Sequence, residues 1–138
     1  MPQRELERVA RLRVLIADDD RRLRELMVLL LSDDYDVDVA ESGEEALRLL
    51  EQQAYDAFLC DLSMPRSGAR EVYAELTATN PDAARRLVVV SGGAFTDEAE
   101  AFLQESGCLR VAKPFSPHDV ALAVETVVAR HGLRPAAR

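Results

Sequence analysis

Short apolar runs alternate with stretches of helical periodicity, and this alternation is the feature that most restricts the fold of the 138-residue chain. Such runs are typical of strands buried in a sheet. They comprise residues 13–17, 35–40, 57–60, 87–90 and 108–112. Because strands that alternate with helices are joined by right-handed crossovers, we expect them to lie parallel. The sequence therefore predicts an α/β fold: a doubly wound, five-stranded parallel sheet with five helices in a three-layer sandwich.

Helix signals accompany this pattern. The first helix is expected from Arg21 to about Ser32, with its arginines and Glu25 facing outward. Its inward residues would be Leu23, Leu26, Met27, Leu30 and Leu31. The other start and stop signals are the capping box of Ser42 and Glu45, the pair Asn80-Pro81, Thr96, Gly107, the pair Ser116-Pro117, and Gly132.

Polar side chains stand where four of the predicted strands end. Asp18 and Asp19 follow the first strand, Asp61 follows the third, Ser91 the fourth and Lys113 the fifth. Since the carboxyl ends of parallel strands share one edge of the sheet, we expect these side chains to lie close together. This edge is where α/β sheets bind ligands.

The chemistry of this set points to phosphoryl transfer. Three adjacent carboxylates repel one another, and a hard divalent cation such as Mg²⁺ relieves the repulsion through oxygen ligands. Lys113 and Ser91 would contact a phosphoryl group as a point charge and a hydrogen-bond donor. Asp61 would be the nucleophile and would form an aspartyl phosphate.

Each of these residues also has a purely structural interpretation. Any of the aspartates is compatible with a helix cap, and Asp20 is the best placed to cap the first helix. Ser91 is compatible with a turn before two glycines, and Lys113 with a solvated surface position, although Pro114 favours a tight, cis turn there. Arg66, near the pocket mouth, is more typical of a solvated side chain than of a phosphate ligand.

Together the motifs resemble the receiver domain of two-component response regulators, over roughly residues 12–131. The matching pieces are the acidic pair after the first strand, the DLSMP segment that begins at Asp61, Ser91 after the fourth strand, and the tripeptide KPF that begins at Lys113. The resemblance implies a flavodoxin-like sandwich. It also implies a signalling domain that is phosphorylated on Asp61 by a histidine kinase or a histidine phosphotransfer protein, and that is not an enzyme apart from slow autodephosphorylation.

The resemblance further implies roles for the site residues. Asp19, Asp61 and the backbone carbonyl of Ser63 would bind Mg²⁺, with Asp18 holding the metal through water. Ser91 and Lys113 would report the phosphorylated state to partners through the fourth helix, fifth strand and fifth helix. The segment GGAFTDEAEAFL followed by KPF is most similar to receivers attached to hybrid histidine kinases.

The sequence departs from the family pattern at two positions. Receivers usually carry an aromatic switch residue three positions before the lysine, where this chain has Arg110. They also tend to have a glycine eight residues after the phosphorylated aspartate, where this chain has Ala69, with Gly68 one position earlier. The small residues two positions past Asp61 and Ser91 are Ser63 and Gly93.

Two other functions remain open at this point. Arg110 is compatible with an interaction module of the same fold that works without phosphorylation. A metal-dependent phosphohydrolase with an aspartyl intermediate usually carries a second aspartate two residues past the nucleophile, and here that residue is Ser63.

Composition restricts the class of protein. The formal net charge of −8 disfavours nonspecific binding to nucleic acid or anionic membranes, and no apolar run is long enough to span a bilayer. We expect a cytoplasmic monomer or weak dimer with free thiols at Cys60 and Cys108 and no zinc site at His118 or His131. Residues 1–12 would form an extension or linker and 132–138 a disordered tail, with no output domain after the receiver.

Overall fold

Five parallel strands and six helices make up the computed structural model, which describes residues 11–92 and 96–133. The strands are β1 (Arg13–Ala17), β2 (Asp36–Ala40), β3 (Ala57–Asp61), β4 (Leu87–Ser91) and β5 (Leu109–Ala112). The helices are α1 (Arg21–Leu31), α2 (Gly43–Gln52), α3 (Ala69–Thr79), α4 (Pro81–Ala84), α5 (Asp97–Ser106) and α6 (Pro117–Arg130). The predicted α/β sandwich is confirmed, with one additional short helix.

The strand order is β2-β1-β3-β4-β5, and all pairs are parallel. Side chains alternate across the sheet, so that Phe58 and Cys60 of β3 pack with α2, α3, α4 and α5, while Ala57 and Leu59 pack with α1 and α6. Every residue of β3 and β4 is buried. The central strands are therefore covered on both faces, as their continuous apolar runs predict.

Most helix ends follow the predicted signals. The hydroxyls of Ser42, Thr96 and Ser116 accept hydrogen bonds from the first turns of α2, α5 and α6. Gly107 adopts the left-handed conformation at the end of α5, with φ of 70°. The capping box at α2 is only half formed, because Glu45 accepts from the backbone N–H of Glu41 at 3.4 Å and not from that of Ser42.

The short helix α4 was not predicted. Asn80-Pro81 ends α3 as expected, but the Asn80 side chain also accepts a hydrogen bond from the N–H of Ala83, and Pro81 occupies the first turn of a new helix. Proline at the first helical position loses no intrahelical hydrogen bond. The same two residues thus stop one helix and start the next.

The predicted orientation of α1 is wrong at two residues. Arg24 was placed on the outer face but is 9% exposed, whereas Leu26 was placed inward but is 42% exposed. Met27 and Leu31 are buried as expected. Arg24 turns inward because its guanidinium donates to a backbone carbonyl in the acidic turn after β1.

Leu12 and Leu133, which lie just outside the predicted receiver bounds of 13–131, both contact the folded segment, and the bounds themselves stay a prediction. Leu12 is buried, and its carbonyl accepts from the N–H of Asp36 beside β1. Leu133, assigned to the tail, donates its backbone N–H to Val128 and packs on the core. Residues 1–10 and 134–138 lie outside the described part, as does Gly93.

Cys60 and Cys108 are both free thiols. Among the described helices, none has the length and apolar character needed to cross a membrane.

Candidate phosphoacceptor site

Of the three aspartates in the turn after β1, one caps helix α1 and two lie at the edge of the sheet. Asp20 caps α1, and its Oδ1 accepts from the backbone N–H groups of Arg22 and Leu23 at 2.9 and 3.4 Å. Asp18 is fully buried, and its Oδ1 accepts from the N–H of Asp20 at 2.8 Å. Asp19 is exposed at the turn. The cap is therefore Asp20, which leaves the side chains of Asp18 and Asp19 available for the edge of the sheet.

Asp61 is the last residue of β3, and the strand register brings it level with the acidic turn. Ala17 pairs with Cys60, so Asp18 and Asp61 are the next residues along two adjacent strands. Asp61 is 6% exposed, and its Oδ1 accepts from the N–H of Ser63 at 3.2 Å. One carboxylate oxygen from each of Asp18, Asp19 and Asp61 lies within 4.8 Å of the others. The carboxylates predicted to meet are therefore brought together.

Lys113 reaches this cluster from the end of β5. Its Nζ lies 3.5 Å from Oδ2 of Asp18 and 3.4 Å from Oδ2 of Asp61. Its backbone N–H donates to the carbonyl of Ser91 at 2.7 Å, and the Lys113-Pro114 peptide bond is cis, as expected. One ammonium group thus bridges two of the three carboxylates.

The charge balance of the cluster is incomplete. Oδ2 of Asp18 is buried and makes no hydrogen bond. Burial raises the pKa of Asp18 above its ordinary value of 3.8, and the neighbouring charge of Asp61 raises it further, against the opposing effects of the Asp20 N–H and Lys113. An ionised Asp18 is therefore held in an environment that disfavours its charge.

Ser91 ends β4 with 2% exposure, and its hydroxyl has an unexpected partner. The Nε of Arg110, on β5, donates to Ser91 Oγ at 2.7 Å. Sequence reasoning marked Arg110 as a departure from the aromatic switch but did not foresee this contact. No local pattern could have indicated it, because the two residues are joined only by the pairing of β4 and β5.

Arg24 was also missed as a site residue. Its Nη1 donates to the backbone carbonyl of Asp18 at 2.7 Å, and its Nη2 lies 3.4 Å from Oε1 of Glu41. A guanidinium bound to this carbonyl supports the acidic turn from behind. This contact explains why Arg24 turns inward from α1.

The loop between Asp61 and α3 shows where its glycine is needed. A Cβ on Gly68 would lie 2.1 Å from the carbonyl oxygen of Leu62, so only glycine fits there. Ala69, at the position usual for glycine in the family, is buried at the start of α3. Arg66 is exposed with φ of 69°, and the structure gives it no contact with the carboxylates.

A groove of about 240 Å³ opens beside Asp61. Its lining includes Leu62 and Ser63 on one side and Gly92 and Thr96 on the other. Arg70, which also lines it, lies 3.2 Å from Glu98 and 3.6 Å from Glu71. The groove is therefore lined by residues that directly follow Asp61 and Ser91 in the chain.

Comparison with known proteins yields a consistent set of relatives. The family model of the response regulator receiver domain matches residues 14–125. A response regulator receiver protein of Anaeromyxobacter sp. (strain Fw109-5) is 37% identical over 103 residues, which cover 74% of this chain and 42% of the relative. The transcriptional regulatory protein ResD of Bacillus subtilis (strain 168) is 31% identical over 120 residues, or 86% of this chain and 48% of ResD. The chain spans about half the length of these curated relatives.

Solved structures share the fold. A CheY-like receiver domain protein from Methanospirillum hungatei JF-1 superposes with a TM-score of 0.80 at 22% identity, covering 88% of this chain and 97% of that one. A putative response regulator from Chloroflexus aurantiacus J-10-fl gives a TM-score of 0.76 at 28% identity, covering 87% and 99%. Attachment to a hybrid histidine kinase is not indicated by these matches and stays a prediction.

Proposed function

Because the chain belongs to the response regulator receiver domain family of two-component signalling, we propose that Asp61 accepts a phosphoryl group from a phosphohistidine donor. The observation that carries this proposal is the meeting of Asp18, Asp19 and Asp61 within 4.8 Å, with Lys113 Nζ at 3.4 Å from Asp61 Oδ2. Phosphoryl transfer needs mainly positioning and charge neutralisation. The arrangement supports positioning, and Lys113 together with a bound cation would supply the neutralisation.

The residues present fit a hard divalent cation. All three side chains offer oxygen, and the buried Oδ2 of Asp18 shares the Lys113 ammonium, 3.5 Å away, with Asp61. We propose that Asp19, Asp61 and the backbone carbonyl of Ser63 would hold Mg²⁺, with Asp18 acting through water. The metal would neutralise charge on the transferring phosphoryl group.

In the proposed step, a carboxylate oxygen of Asp61 attacks the phosphorus of the phosphohistidine. The P–N bond breaks, its electron pair returns to the imidazole nitrogen, and a new O–P bond forms on Asp61. Lys113 faces the same carboxylate and contributes positive charge to the product, while the Ser91 hydroxyl donates to a phosphoryl oxygen. Later hydrolysis of the acyl phosphate would return the domain slowly to its resting state.

The donor would be a histidine kinase or a histidine phosphotransfer protein. Output would pass through the predicted fourth helix, fifth strand and fifth helix, which are α5, β5 and α6 here. Between β5 and α6 lies a groove of about 380 Å³, and Leu122 on its rim is 51% exposed. We propose that an output partner would bind at this groove.

The test is incubation with acetyl phosphate and Mg²⁺, followed by intact mass measurement. We expect wild-type protein to gain one phosphate that is labile to hydroxylamine, as an acyl phosphate is. Asp61→Asn should gain none, and Asp33→Asn should behave like wild type, because Asp33 is exposed and away from the site.

Two results would replace this proposal. No gain of phosphate by wild type, with either acetyl phosphate or a phosphorylated kinase, would favour an interaction module that works without phosphorylation. Multiple turnovers on small phosphate esters would favour a phosphohydrolase instead.

A further inference from the structure

The contact between Arg110 and Ser91 joins the surface of the protein to the buried edge of the sheet. Arg110 pairs with Val89 across β4 and β5, and Ser91 lies two residues further along β4 on the same face. The guanidinium Nε spans this offset and donates to Ser91 Oγ at 2.7 Å. Arg110 is exposed, whereas Ser91 is 2% exposed.

This hydrogen bond restricts what the hydroxyl can do. A serine hydroxyl has one proton to donate and two lone pairs to accept with. Since one lone pair of Ser91 Oγ faces Arg110, the O–H bond must point away from that side chain. Rotation of the hydroxyl hydrogen about the Cβ–Oγ bond is therefore restricted. A charged donor also makes the hydroxyl a better donor in turn, because linked hydrogen bonds polarise one another.

The same arginine lines the groove between β5 and α6. Its neighbours there include Ala112, Pro114 and Leu122. The aromatic residue that is usual at this position has no guanidinium, so it could not donate this hydrogen bond to Ser91.

We infer that Arg110 is a positioning residue for Ser91: it holds the hydroxyl as a donor for the phosphoryl group. The inference rests on the proposed function, because it assigns Ser91 the role of phosphoryl donor. Arg110 itself acts through Ser91 and not on the phosphoryl group.

A double-mutant cycle tests the inference. Beryllofluoride with Mg²⁺ serves as the phosphoryl mimic on Asp61, and its affinity is measured by ¹⁹F NMR for wild type, Arg110→Met, Ser91→Ala and the double variant. We expect Arg110→Met to weaken binding about three- to tenfold, because a Ser91 hydroxyl that is no longer held in place makes a weaker hydrogen bond to the mimic. In the Ser91→Ala background the same change should have less than about a twofold effect, because the contact is already gone.

Arg130→Met is the matched control. It removes one positive charge at an exposed position, at the end of α6 that is farther along the chain from Lys113, and we expect less than about a twofold change. Equal losses from Arg110→Met in both backgrounds, or tighter binding of the mimic, would overturn the inference. Failure of wild type to bind the mimic would instead overturn the proposed function.

A second readout needs no phosphoryl mimic. The Nε–H signal of Arg110 in ¹⁵N-labelled protein should shift on Ser91→Ala, and should shift again in wild type when beryllofluoride and Mg²⁺ are added. An Nε–H signal that is unchanged by Ser91→Ala would show that the bond is not formed in solution and would overturn the inference even if the mimic binds.

Discussion

Replacing Asp18 with asparagine should stabilise the metal-free protein. The buried Oδ2 of Asp18 has no hydrogen bond, and the residue shares its site with two other carboxylates. Asparagine can keep the 2.8 Å acceptor contact with the N–H of Asp20 through its own Oδ1. The substitution therefore removes the charge while it retains the contact that orders the turn.

The magnitude follows from opposing electrostatic effects. At an effective dielectric constant of 20, each of the two carboxylates within 4.8 Å repels Asp18 by about 3.5 kcal/mol, and the Lys113 ammonium at 3.5 Å attracts it by about 5 kcal/mol. Removing the charge of Asp18 therefore relieves about 7 kcal/mol of repulsion and loses about 5 kcal/mol of attraction, and the cost of desolvating the carboxylate is relieved as well. Lys113 is not left alone, since Asp61 remains 3.4 Å away. We expect a gain of about 2 kcal/mol in the free energy of unfolding.

The pH dependence has a definite sign. A raised pKa means that folded Asp18 keeps its proton at pH values where the unfolded chain has lost it. The contribution of Asp18 to stability is therefore largest below the ordinary value of 3.8 and declines as the pH rises through the raised pKa. Asparagine does not ionise, so the advantage of the variant should grow over this interval and then stay constant.

Urea unfolding in EDTA at several pH values between about 4 and 7 measures this difference. Asp33→Asn makes the same charge change at an exposed position, and we expect it to alter stability by less than about 0.5 kcal/mol. Added Mg²⁺ should stabilise wild type more than Asp18→Asn, because a ligand stabilises the state that binds it. A variant less stable than wild type at pH 7 in EDTA would refute the reasoning.

Two further substitutions, each with a matched control, test how the site is built. Gly68→Ala should lower the free energy of unfolding in urea by about 2–4 kcal/mol, because the new Cβ would meet a backbone carbonyl at 2.1 Å. Its control, Gly107→Ala, has open space but φ of 70° and should lower it by only about 1 kcal/mol. Equal losses from the two substitutions would contradict this account. Arg24→Met should cost about 1–3 kcal/mol, since it leaves the buried carbonyl of Asp18 without its 2.7 Å donor. Arg22→Met, exposed on the same helix, is the control for Arg24, and a comparable loss there would contradict the assignment.

The strand positions were predictable because each central strand is buried on both faces. A run such as Leu87 to Val90 has no polar face to place in solvent, so its sequence allows few alternatives. Parallel pairing then brings the strand ends to one edge, and this alone placed Asp18, Asp61 and Lys113 together. Periodicity was a weaker guide for α1, since it sorts residues by polarity and cannot recognise that Arg24 turns inward toward a carbonyl.

The contacts that were missed depend on the reach of long side chains. Arg110 and Ser91 are 19 residues apart, and their bond requires both the β4–β5 register and an extended guanidinium. The short helix α4 escaped prediction for a local reason, because Asn80 serves two helices at once. Element positions thus follow from patterning, whereas side-chain partners follow from geometry that appears only after the sheet has formed.

The three cationic side chains near this edge of the sheet contact different kinds of group, and this explains why the carboxylate cluster keeps an excess of negative charge. Arg24 binds a backbone carbonyl and Arg110 binds a hydroxyl, whereas Lys113 contacts the carboxylates themselves. The two guanidiniums therefore fix the shape of the site, and one ammonium faces a cluster of three carboxylates. The remaining negative charge has to be met by protons or by an external cation, as the raised pKa of Asp18 already indicates. The backbone and the hydroxyl of the site are therefore held in place before the charge of its carboxylates is neutralised. This arrangement is compatible with the proposed binding of a cation and a phosphoryl group together.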